Sequence, residues 1–176
     1  MIKLRKAIFS DFTAIAELHA ENWRQTYRGI LSDQFLDYEV EKDRIETWHE
    51  RLHSPGPNQL VIVATLNEVI QGFCCLFLDD DPVFGSLIDN LHVTAAMQKS
   101  GIGKMLVRDC VKHICDKAHT KKMYLWVYEA NTNARIVYER LGGKLFETVS
   151  KKNEDGHIQK TCRITWEDVS NLSGTL

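Results

Sequence analysis

The sequence predicts an α/β (α+β) protein with a mixed, mostly antiparallel central sheet of about seven strands and helices on its faces. Two observations carry this prediction. After Pro57, apolar or alternating runs of strand length recur with turn residues between them, which is typical of antiparallel hairpins. The strand–helix–strand unit from Leu87 to Val127 requires a right-handed crossover, so one pair of neighbouring strands is parallel. The predicted order of elements is β-α-α-β-β-β-α-β-α-β-β.

The first half of the chain is predicted to begin with one strand and one helix. Residues 2–7 have the short alternating pattern of a strand. Ser10 and Asp11 then offer an N-cap, and the helix that follows is predicted to end near Gly29. The apolar side of this helix comprises Ile15, Leu18, Trp23 and Tyr27.

A second helical region is predicted to begin after Ser32 and Asp33 and to continue toward Leu52. Residues 55–57, which are proline, glycine and proline, end it. Its inner side comprises Phe35, Leu36, Ile45, Trp48 and Leu52. The remaining predicted elements are strands at 60–66, 69–78 and 86–93, a helix from about Gly101 to His119, a strand at 121–127, a short helix ending at Gly142, and a hairpin of residues 144–149 and 157–166.

Length and composition predict an ordinary soluble protein with one domain, residues 1–176. Of the 176 residues, 44% are hydrophobic and 26% are charged. The formal net charge of -2 gives no indication of nucleic acid or a membrane surface as a partner. No apolar run approaches the roughly 20 residues that span a bilayer, and the start contains no signal-peptide core. The five cysteines form no C-x-x-C pair, which indicates free thiols and a cytoplasmic location.

A loop with two glycines precedes the helix that is predicted to begin near Gly101. Gly101 and Gly103 allow the backbone to approach a ligand closely, and the free N–H groups at a helix start favour phosphate. The neighbouring Lys104 adds a positive charge. Two nucleotide-binding patterns are excluded, because a P-loop requires glycine at 98 and Ser or Thr at 105, and a dinucleotide fingerprint requires glycine at 106. These positions hold Gln98, Met105 and Leu106.

Two motifs in the second half of the chain are similar to those of one family. Residues 98–103, QKSGIG, resemble the Q/R-x-x-G-x-G/A loop of the GNAT superfamily of N-acetyltransferases, and the strand end L-x-V at Leu91 and Val93 precedes it. Residues 131–142 are similar to the family motif N-x-x-A-x-x-x-Y-E-x-L-G. The predicted order of elements also matches the family fold. The chain departs from the family pattern at Gly143, where an aromatic residue is usual.

The resemblance implies an N-acetyltransferase that uses acetyl-CoA and acetylates a primary amine, which is a small amine, a polyamine or a lysine side chain. It implies that the strands ending at Val93 and Val127 splay apart and admit the pantetheine arm. It calls for no metal, and a homodimer is consistent with it because dimers are common in the family. The residues it implies for binding acetyl-CoA are Leu91, Val93, Gln98, Lys99, Ser100, Gly101, Ile102, Gly103, Lys104 and Asn131.

Acetyl transfer to an amine needs a general base for the ammonium and a proton donor for the leaving thiolate. The resemblance places Tyr138 near the thioester sulfur, where its hydroxyl is expected to supply that proton. Asp89, at a strand position where some family members carry a histidine, is the predicted base and acts through water. Alternation along the strand places His92 on the opposite face, where we interpret it as packed. Glu21 and Glu129 are weaker alternatives for the base.

The acceptor pocket of the family is usually lined by the first helix and the loop after it. Trp23 and Tyr27 are therefore predicted to bind the acceptor, with Asn22 beside them. The acidic turn at 79–81 is a candidate for attracting a cationic amine, although such turns are more often simply solvated. Trp126 stands where certain protein N-terminal acetyltransferases carry a catalytic glutamate, which argues against that subclass.

Two other functions remain open from the sequence. The same fold can serve as a non-catalytic acyl-CoA-binding module. The stretch from His49 to His53 reads H-E-x-x-H, which is the pattern of zinc hydrolases. The longer form of that pattern places a third ligand at position 59, but Gln59 is a poor zinc ligand. We therefore interpret the two histidines as edge residues of an amphipathic helix.

Overall fold

The computed structural model describes residues 1–172, which form five α-helices around one seven-stranded sheet. The strands are β1 (Lys3–Lys6), β2 (Gln59–Leu66), β3 (Val69–Asp81), β4 (Gly85–Val93), β5 (Met123–Tyr128), β6 (Lys144–Lys152) and β7 (Ile158–Trp166). The helices are α1 (Phe12–Thr26), α2 (Asp33–Tyr38), α3 (Val40–His53), α4 (Ile102–Lys117) and α5 (Thr132–Arg140). Short 3₁₀ turns at Phe9–Asp11 and Ala95–Met97 lie before α1 and α4.

The sheet is mixed and mostly antiparallel, as predicted. Its strand order is β1-β2-β3-β4-β5-β7-β6. Among the paired strands of residues 1–172, only β4 and β5 run parallel, and α4 provides the crossover between them. The predicted fold class is therefore confirmed. Within the same residues, no helix has the length and apolar character needed to cross a bilayer.

Helices cover both faces of the sheet. On one face, α1 and α3 pack over the central strands, and the ring centroids of Trp48 and Phe73 lie 4.9 Å apart. On the other face, α4 packs through Leu106, Cys110 and Ile114, all of which are fully buried. These three residues recur every four positions, so the amphipathic period of the sequence determines which side of α4 meets the sheet.

The start of α1 differs from the predicted capping. Asp11 directly precedes α1, but its carboxylate makes no capping bond to that helix. It accepts a hydrogen bond from the Ile8 amide at 2.8 Å and two from the Arg5 guanidinium at 2.6 and 2.9 Å. Because Asp11 ends a 3₁₀ turn, its side chain reaches back across that turn, and it ties the helix start to β1.

The second helical region consists of two helices separated at Glu39. Ser32 caps α2, since its Oγ accepts a hydrogen bond from the Phe35 amide at 3.3 Å. Phe35 packs in a cluster with Trp23 of α1, whereas Trp48 of α3 packs against the sheet. Val40, at the start of α3, still belongs to the cluster around Trp23, and the later turns of α3 pack on the sheet.

Gly143 has a packing reason for its departure from the family pattern. A Cβ atom at this position would lie 2.5 Å from Cζ2 of Trp166 and 2.6 Å from Cγ2 of Ile164. The Trp166 ring is held there by a hydrogen bond from its Nε1 to the Leu141 carbonyl at 2.9 Å. The Trp166 ring of β7 therefore fills the space beside this position, and only glycine leaves room for it.

Candidate active site

The candidate site lies where β4 and β5 separate. Their pairing is limited to three residue pairs, the last of which joins Ile88 to Leu125. Beyond this point β4 continues to Val93 and β5 to Tyr128 without pairing to each other. The splayed parallel pair that the resemblance implied is therefore present. It leaves a gap in the middle of the sheet.

Backbone groups of β4 face this gap without a strand partner. The Thr94 amide donates a hydrogen bond to the carbonyl of Gln71 in β3, at 2.8 Å. Because antiparallel strands exchange hydrogen bonds at every second residue, His92 also faces β3. The N–H and C=O groups of Leu91 and Val93 consequently point toward β5, which has already diverged. These are the two backbone positions predicted to hold the pantetheine arm.

A bulge in β4 rearranges the side chains beside the gap. Cys75 of β3 pairs with Asn90 and Leu76 pairs with Ile88, so Asp89 has no partner residue on β3. The extra residue shifts the alternation by one position. Asp89 and Asn90 therefore lie on the same side, where each accepts a hydrogen bond of 2.7 Å from Nη1 of Arg51.

The bulge also changes the side of β4 on which Asp89 lies relative to His92. The prediction that His92 lies on the opposite face from Asp89 is wrong, because it assumed unbroken alternation. The His92 ring lies on the α1 side, 4.3 Å from the ring of His19, and it lines the same cavity as Asp89. Packing against His19 and Phe73 is nonetheless present, as the interpretation of His92 required.

Two cavities meet at the gap. The first, here called the apolar groove, has a volume of about 350 Å³ and lies on the α4 and α5 side. The second, here called the polar cleft, has a volume of about 650 Å³ and lies on the α1 and α3 side. Tyr138 and Leu91 line both, so one ligand can extend from the groove into the cleft. The groove is lined by Ile88, Leu91, Lys99, Gly101, Gly103, Lys104, Val107, Met123, Leu125, Val137, Tyr138, Leu141, Trp166 and Leu172.

The glycine loop forms one end of the apolar groove. Gly101 has a φ of +91°, a left-handed conformation that favours glycine, and α4 begins directly after it. Within residues 1–172, the amides of Ile102, Gly103 and Lys104 have no hydrogen-bond acceptor. These donors, the positive end of the α4 dipole and the lysines at 99 and 104 together favour an anionic group at this end.

The other predicted loop residues take different positions. The Ser100 hydroxyl is exposed and donates to the Met97 carbonyl at 2.5 Å, so it closes the turn before α4. The Ile102 side chain is buried in the core, and it can contribute only its backbone amide to a ligand. Gln98 lines the polar cleft rather than the groove. Asn131 also lines the cleft, and its Oδ1 caps α5 by accepting from the Ala134 amide at 3.3 Å.

Tyr138 stands at the junction of the two cavities. Its ring packs edge-on against Trp166 with centroids 6.3 Å apart, and its hydroxyl has no hydrogen-bond partner in the part of the chain that the structure describes. Burial raises the pKa of this hydroxyl well above the usual value of 10. Tyr138 therefore remains protonated at neutral pH and can donate a proton to a group in the gap.

The polar cleft has an aromatic wall that includes both predicted acceptor residues. The ring centroids of Trp23 and Tyr27 are 5.5 Å apart, and those of Tyr27 and Tyr128 are 5.0 Å apart. Burial, with a smaller contribution from Glu154, raises the pKa of Tyr27 to about 12. All of these residues line the cleft, and the tyrosines stay neutral there.

A family comparison decides the class of protein to which this site belongs. The sequence model of the acetyltransferase (GNAT) family matches residues 14–143, which include the glycine loop, Asp89, Asn131 and Tyr138. The chain belongs to the GNAT family. The protein is accordingly an acyltransferase, and the resemblance drawn from the two motifs is confirmed.

Two curated GNAT relatives extend over almost the whole chain. The protein is 22% identical over 180 residues to the uncharacterized N-acetyltransferase YuaI of Bacillus subtilis, and the alignment covers 100% of this chain and 99% of that protein. It is 28% identical over 174 residues to the probable N-acetyltransferase Rv2775 of Mycobacterium tuberculosis, with 98% of this chain and 88% of that protein covered.

Solved GNAT structures share the fold. The PaiA N-acetyltransferase of Thermoplasma acidophilum, determined in complex with coenzyme A, matches with a TM-score of 0.71 at 20% identity and covers 92% of this chain and 98% of its own. The putative acetyltransferase yncA of Salmonella typhimurium, determined with acetyl-CoA, matches with a TM-score of 0.65 at 17% identity, covering 95% and 94%. At these identities the likeness concerns the fold alone.

Sequence reasoning missed the charged side chains that α3 contributes to this GNAT site. Arg44 and Arg51 line the polar cleft and flank the buried Trp48 at intervals of four and three residues. That spacing places all three on the inner side of the helix, and it could have identified the two arginines from the sequence. Lys151 and Glu154, which also line the cleft, come from the β6–β7 hairpin, and no local pattern marks them.

A buried histidine beneath the polar cleft was also missed. His19 of α1 is completely buried, and its Nδ1 accepts a hydrogen bond from Nε1 of Trp48 at 2.9 Å. Burial lowers the pKa of His19 well below 6.5, and the neighbouring His92 adds to the effect. Burial, together with the charge of Arg44, lowers the pKa of His92 to about 3. Both imidazoles are therefore neutral at physiological pH.

Several other candidates lie away from the site. The acidic turn does not line the cleft: Asp79 binds His119, Asp80 accepts from the Tyr124 hydroxyl, and Asp81 accepts from the amides of the following turn. Glu21 and Glu129 also lie outside the lining of both cavities.

The H-E-x-x-H histidines lie on the outer surface of α3. The His49 and His53 rings are exposed and stack on each other with centroids 5.7 Å apart, and both contact the ring of Phe9. Residues 1–172 contain no group of three or more His, Cys, Asp or Glu side chains arranged to hold a metal ion.

Proposed function

We propose that the protein transfers the acetyl group of acetyl-CoA directly to a primary amine. The observation that carries this proposal is the junction at the splayed strands, where an apolar groove with an anion-binding loop meets a separate polar cleft beside Tyr138. Two cavities that meet at one proton donor suit a reaction between two substrates. Similar GNAT structures determined with coenzyme A and acetyl-CoA support the choice of donor.

The groove offers suitable groups for each part of acetyl-CoA. The unpaired amides of Ile102, Gly103 and Lys104 suit the pyrophosphate, with Lys99 and Lys104 supplying positive charge. The open backbone edge of Leu91 and Val93 suits the amide groups of the pantetheine arm. The apolar lining of the groove favours the aliphatic parts of that arm.

Acetyl transfer needs two proton transfers, and we assign each of them to a different residue at the junction. Acetyl-CoA supplies an activated thioester, whose thiolate leaves as the new carbon–nitrogen bond forms. An amine arrives mostly as ammonium and must lose a proton before it can attack. We assign that step to Asp89 acting through water, because its carboxylate lines the polar cleft and is fixed by Arg51. Tyr138 remains protonated and donates its proton to the leaving sulfur.

The test measures CoA release from acetyl-CoA with a panel of primary amines that includes spermidine, an aminoglycoside, free amino acids and lysine peptides. We expect at least one acceptor to be acetylated, with the product identified by mass. Asp89→Asn should reduce kcat by roughly 100-fold, within the range found for loss of a general base, without weakening acetyl-CoA binding.

Asp116→Asn is the matched control, because this exposed carboxylate on α4 lines neither cavity. It should leave kcat unchanged. Tight acetyl-CoA binding without CoA release for any amine would reject catalysis and favour the non-catalytic binding module. Equal kcat values for Asp89→Asn and the wild type would reject Asp89 as the base.

A further inference from the structure

The polar cleft has a positive charge excess although the chain as a whole carries a formal charge of -2. Its lining contains four cationic side chains and two carboxylates. The cations are Arg44, Arg51, Lys151 and Lys152, and the carboxylates are Asp89 and Glu154. A cleft built to hold a polycation would be expected to have the opposite balance. Asp43 lies outside the lining but pairs with Arg44, which leaves four cations against three carboxylates. The remaining positive charge points to an acceptor that carries negative charge.

Three of the four cations have identifiable contacts. Arg51 is engaged by Asp89 and Asn90 through Nη1. Lys151 places its Nζ 3.3 Å from the ring centroid of Trp126, which also lines the cleft. Arg44 differs from both, because it is 7% exposed and stacks over the Trp23 ring at 4.3 Å.

Arg44 also has unused hydrogen-bonding capacity. Its Nε donates to the carboxylate of Asp43 at 2.7 Å, and its Nη2 donates to the same oxygen. Its Nη1 has no acceptor among residues 1–172, although the side chain lines the cleft. Asp43 already balances the charge of Arg44, but the open N–H groups of Nη1 remain available to a ligand anion in the cleft that this side chain lines. A carboxylate is the natural partner for this planar donor.

The surroundings of Arg44 indicate what else the acceptor carries. The Trp23 ring under Arg44 continues into the aromatic wall of Tyr27 and Tyr128. Such a wall favours an apolar group next to the carboxylate. The same cleft reaches Leu91 and Tyr138 at the gap, where the amine must be presented.

We propose that the acceptor is an α-amino acid with an apolar side chain, whose carboxylate binds Arg44 and whose side chain packs on the aromatic wall. This inference rests on the proposed acetyl transfer and specifies its acceptor. It separates the protein from enzymes that acetylate polyamines or lysine side chains of proteins. Those acceptors present cationic or neutral groups to Arg44 and leave its Nη1 without an anion.

The first experiment needs only the wild-type protein. CoA release is measured with leucine, methionine and phenylalanine, and with the α-amide of each, at matched concentrations of unprotonated amine. Each amide keeps the amine and side chain but lacks the negative charge. Because a hydrogen bond between charged groups contributes about 1.5–3 kcal/mol, kcat/KM for the best amino acid should exceed that of its amide by roughly 10-fold to 100-fold. Spermidine should be a poorer acceptor than that amino acid.

The second experiment assigns the preference to Arg44. Arg44→Met keeps an unbranched side chain on the Trp23 ring and removes the guanidinium. It should raise KM for the preferred amino acid by roughly 10-fold or more and leave the amide and the affinity for acetyl-CoA nearly unchanged. Lys42→Met is the matched control, because Lys42 is an exposed cation on the same helix and lies outside the cleft. It should change none of these values.

The outcomes separate this inference from the proposed function. Acetylation of amides or spermidine at least as efficiently as the amino acids would overturn the amino-acid inference and leave acetyl transfer to amines standing. If no amine releases CoA, the proposed function fails. Calorimetric binding of the amino acids and amides to the CoA-loaded protein then decides the inference. Tighter binding of the acids would support a carboxylate site, and equal binding or none would overturn it.

Discussion

The apolar groove and the polar cleft lie on opposite sides of one gap, yet they are constructed in different ways. The hydrogen-bonding groups that the groove offers to acetyl-CoA come from one continuous stretch, which runs from the end of β4 through the glycine loop into α4, although its apolar lining also includes residues of β5, α5 and β7. Most of these groups are backbone amides and carbonyls. The cleft receives side chains from α1, α3, β4, β5 and the β6–β7 hairpin, and few of them are neighbours in sequence.

This difference explains why the groove leaves a recognisable motif in the sequence and the cleft does not. A backbone site needs particular φ values and a particular spacing of glycines, so it leaves a short motif such as QKSGIG. A side-chain site depends on which elements the fold brings together, and each element contributes one or two residues. The groove therefore suits a ligand common to a family, whereas the cleft can change its acceptor by a few substitutions.

The largest effect is expected at Tyr138, which lines both cavities and carries a hydroxyl there. Tyr138→Phe removes the hydroxyl and keeps the packing of the ring against Trp166. If Tyr138 donates the proton to the leaving sulfur, kcat should fall by roughly 100-fold to 1,000-fold. Steady-state kinetics of CoA release and calorimetry of acetyl-CoA binding check this expectation, and the affinity should hardly change.

Tyr38→Phe provides the comparison for this variant, because Tyr38 is 76% exposed at the end of α2. Its kcat should equal that of the wild type. If Tyr138→Phe retains full turnover, the Tyr138 hydroxyl does not take part in proton transfer and the residue contributes only packing.

An intermediate effect is expected on the stability of the protein in acid. It arises from two buried histidines on the polar cleft side of the sheet. The folded-state pKa values of His19 and His92 are lowered by burial, that of His92 to about 3. Below pH 6.5 the unfolded chain binds protons that the folded chain does not, so the free energy of unfolding falls as the pH decreases. Each histidine contributes at most about 1.4 kcal/mol per pH unit to this slope.

His92→Gln should make the slope between pH 6.5 and 4.5 shallower by up to about 1.4 kcal/mol per pH unit, as measured by urea unfolding. The corresponding control is His53→Gln, which changes an exposed histidine of α3. Parallel curves for His92→Gln and the wild type would indicate that His92 is accessible to protons in the folded protein.

The smallest effect is expected at the loop end of the groove. Lys104→Ala removes one cation next to the unpaired amides of α4 and should weaken acetyl-CoA binding about 3-fold to 5-fold at low salt. The backbone donors remain, which is why the loss is small. Lys112→Ala, an exposed position on the same helix, should bind as the wild type does. A loss of 100-fold or more at Lys104 would mean that side chains rather than backbone amides dominate the groove.

Both the successes and the errors of sequence reasoning follow from this contrast. The hairpins, the α4 stripe of Leu106, Cys110 and Ile114, and the glycine loop were predictable because each depends on residues within about 20 positions of one another. The placement of His92 failed because a single unpaired residue, Asp89, shifts the register of β4. Nothing in the local pattern of that strand announces the bulge.

Gly143 and the H-E-x-x-H stretch differ in what the sequence could decide. The reason for glycine at 143 lies in Trp166, which comes from another element and fills the space that a side chain would need. The interpretation of His49 and His53 as edge residues was available from the sequence because Gln59 is a poor zinc ligand, and the structure agrees with it, since both rings are exposed and contact Phe9.

The sequence by itself determined the order of elements, the GNAT motifs and the position of the glycine loop, because periodicity and backbone conformation are encoded locally. Only the tertiary structure decided that Arg44 is buried with a free Nη1 beside Trp23, that Asp89 is paired with Arg51, and that Tyr138 faces both cavities. These features arise where separate elements converge on the gap between β4 and β5. The burial of these side chains and the balance of charge around them depend on how the elements pack together, so no single segment of the chain determines them.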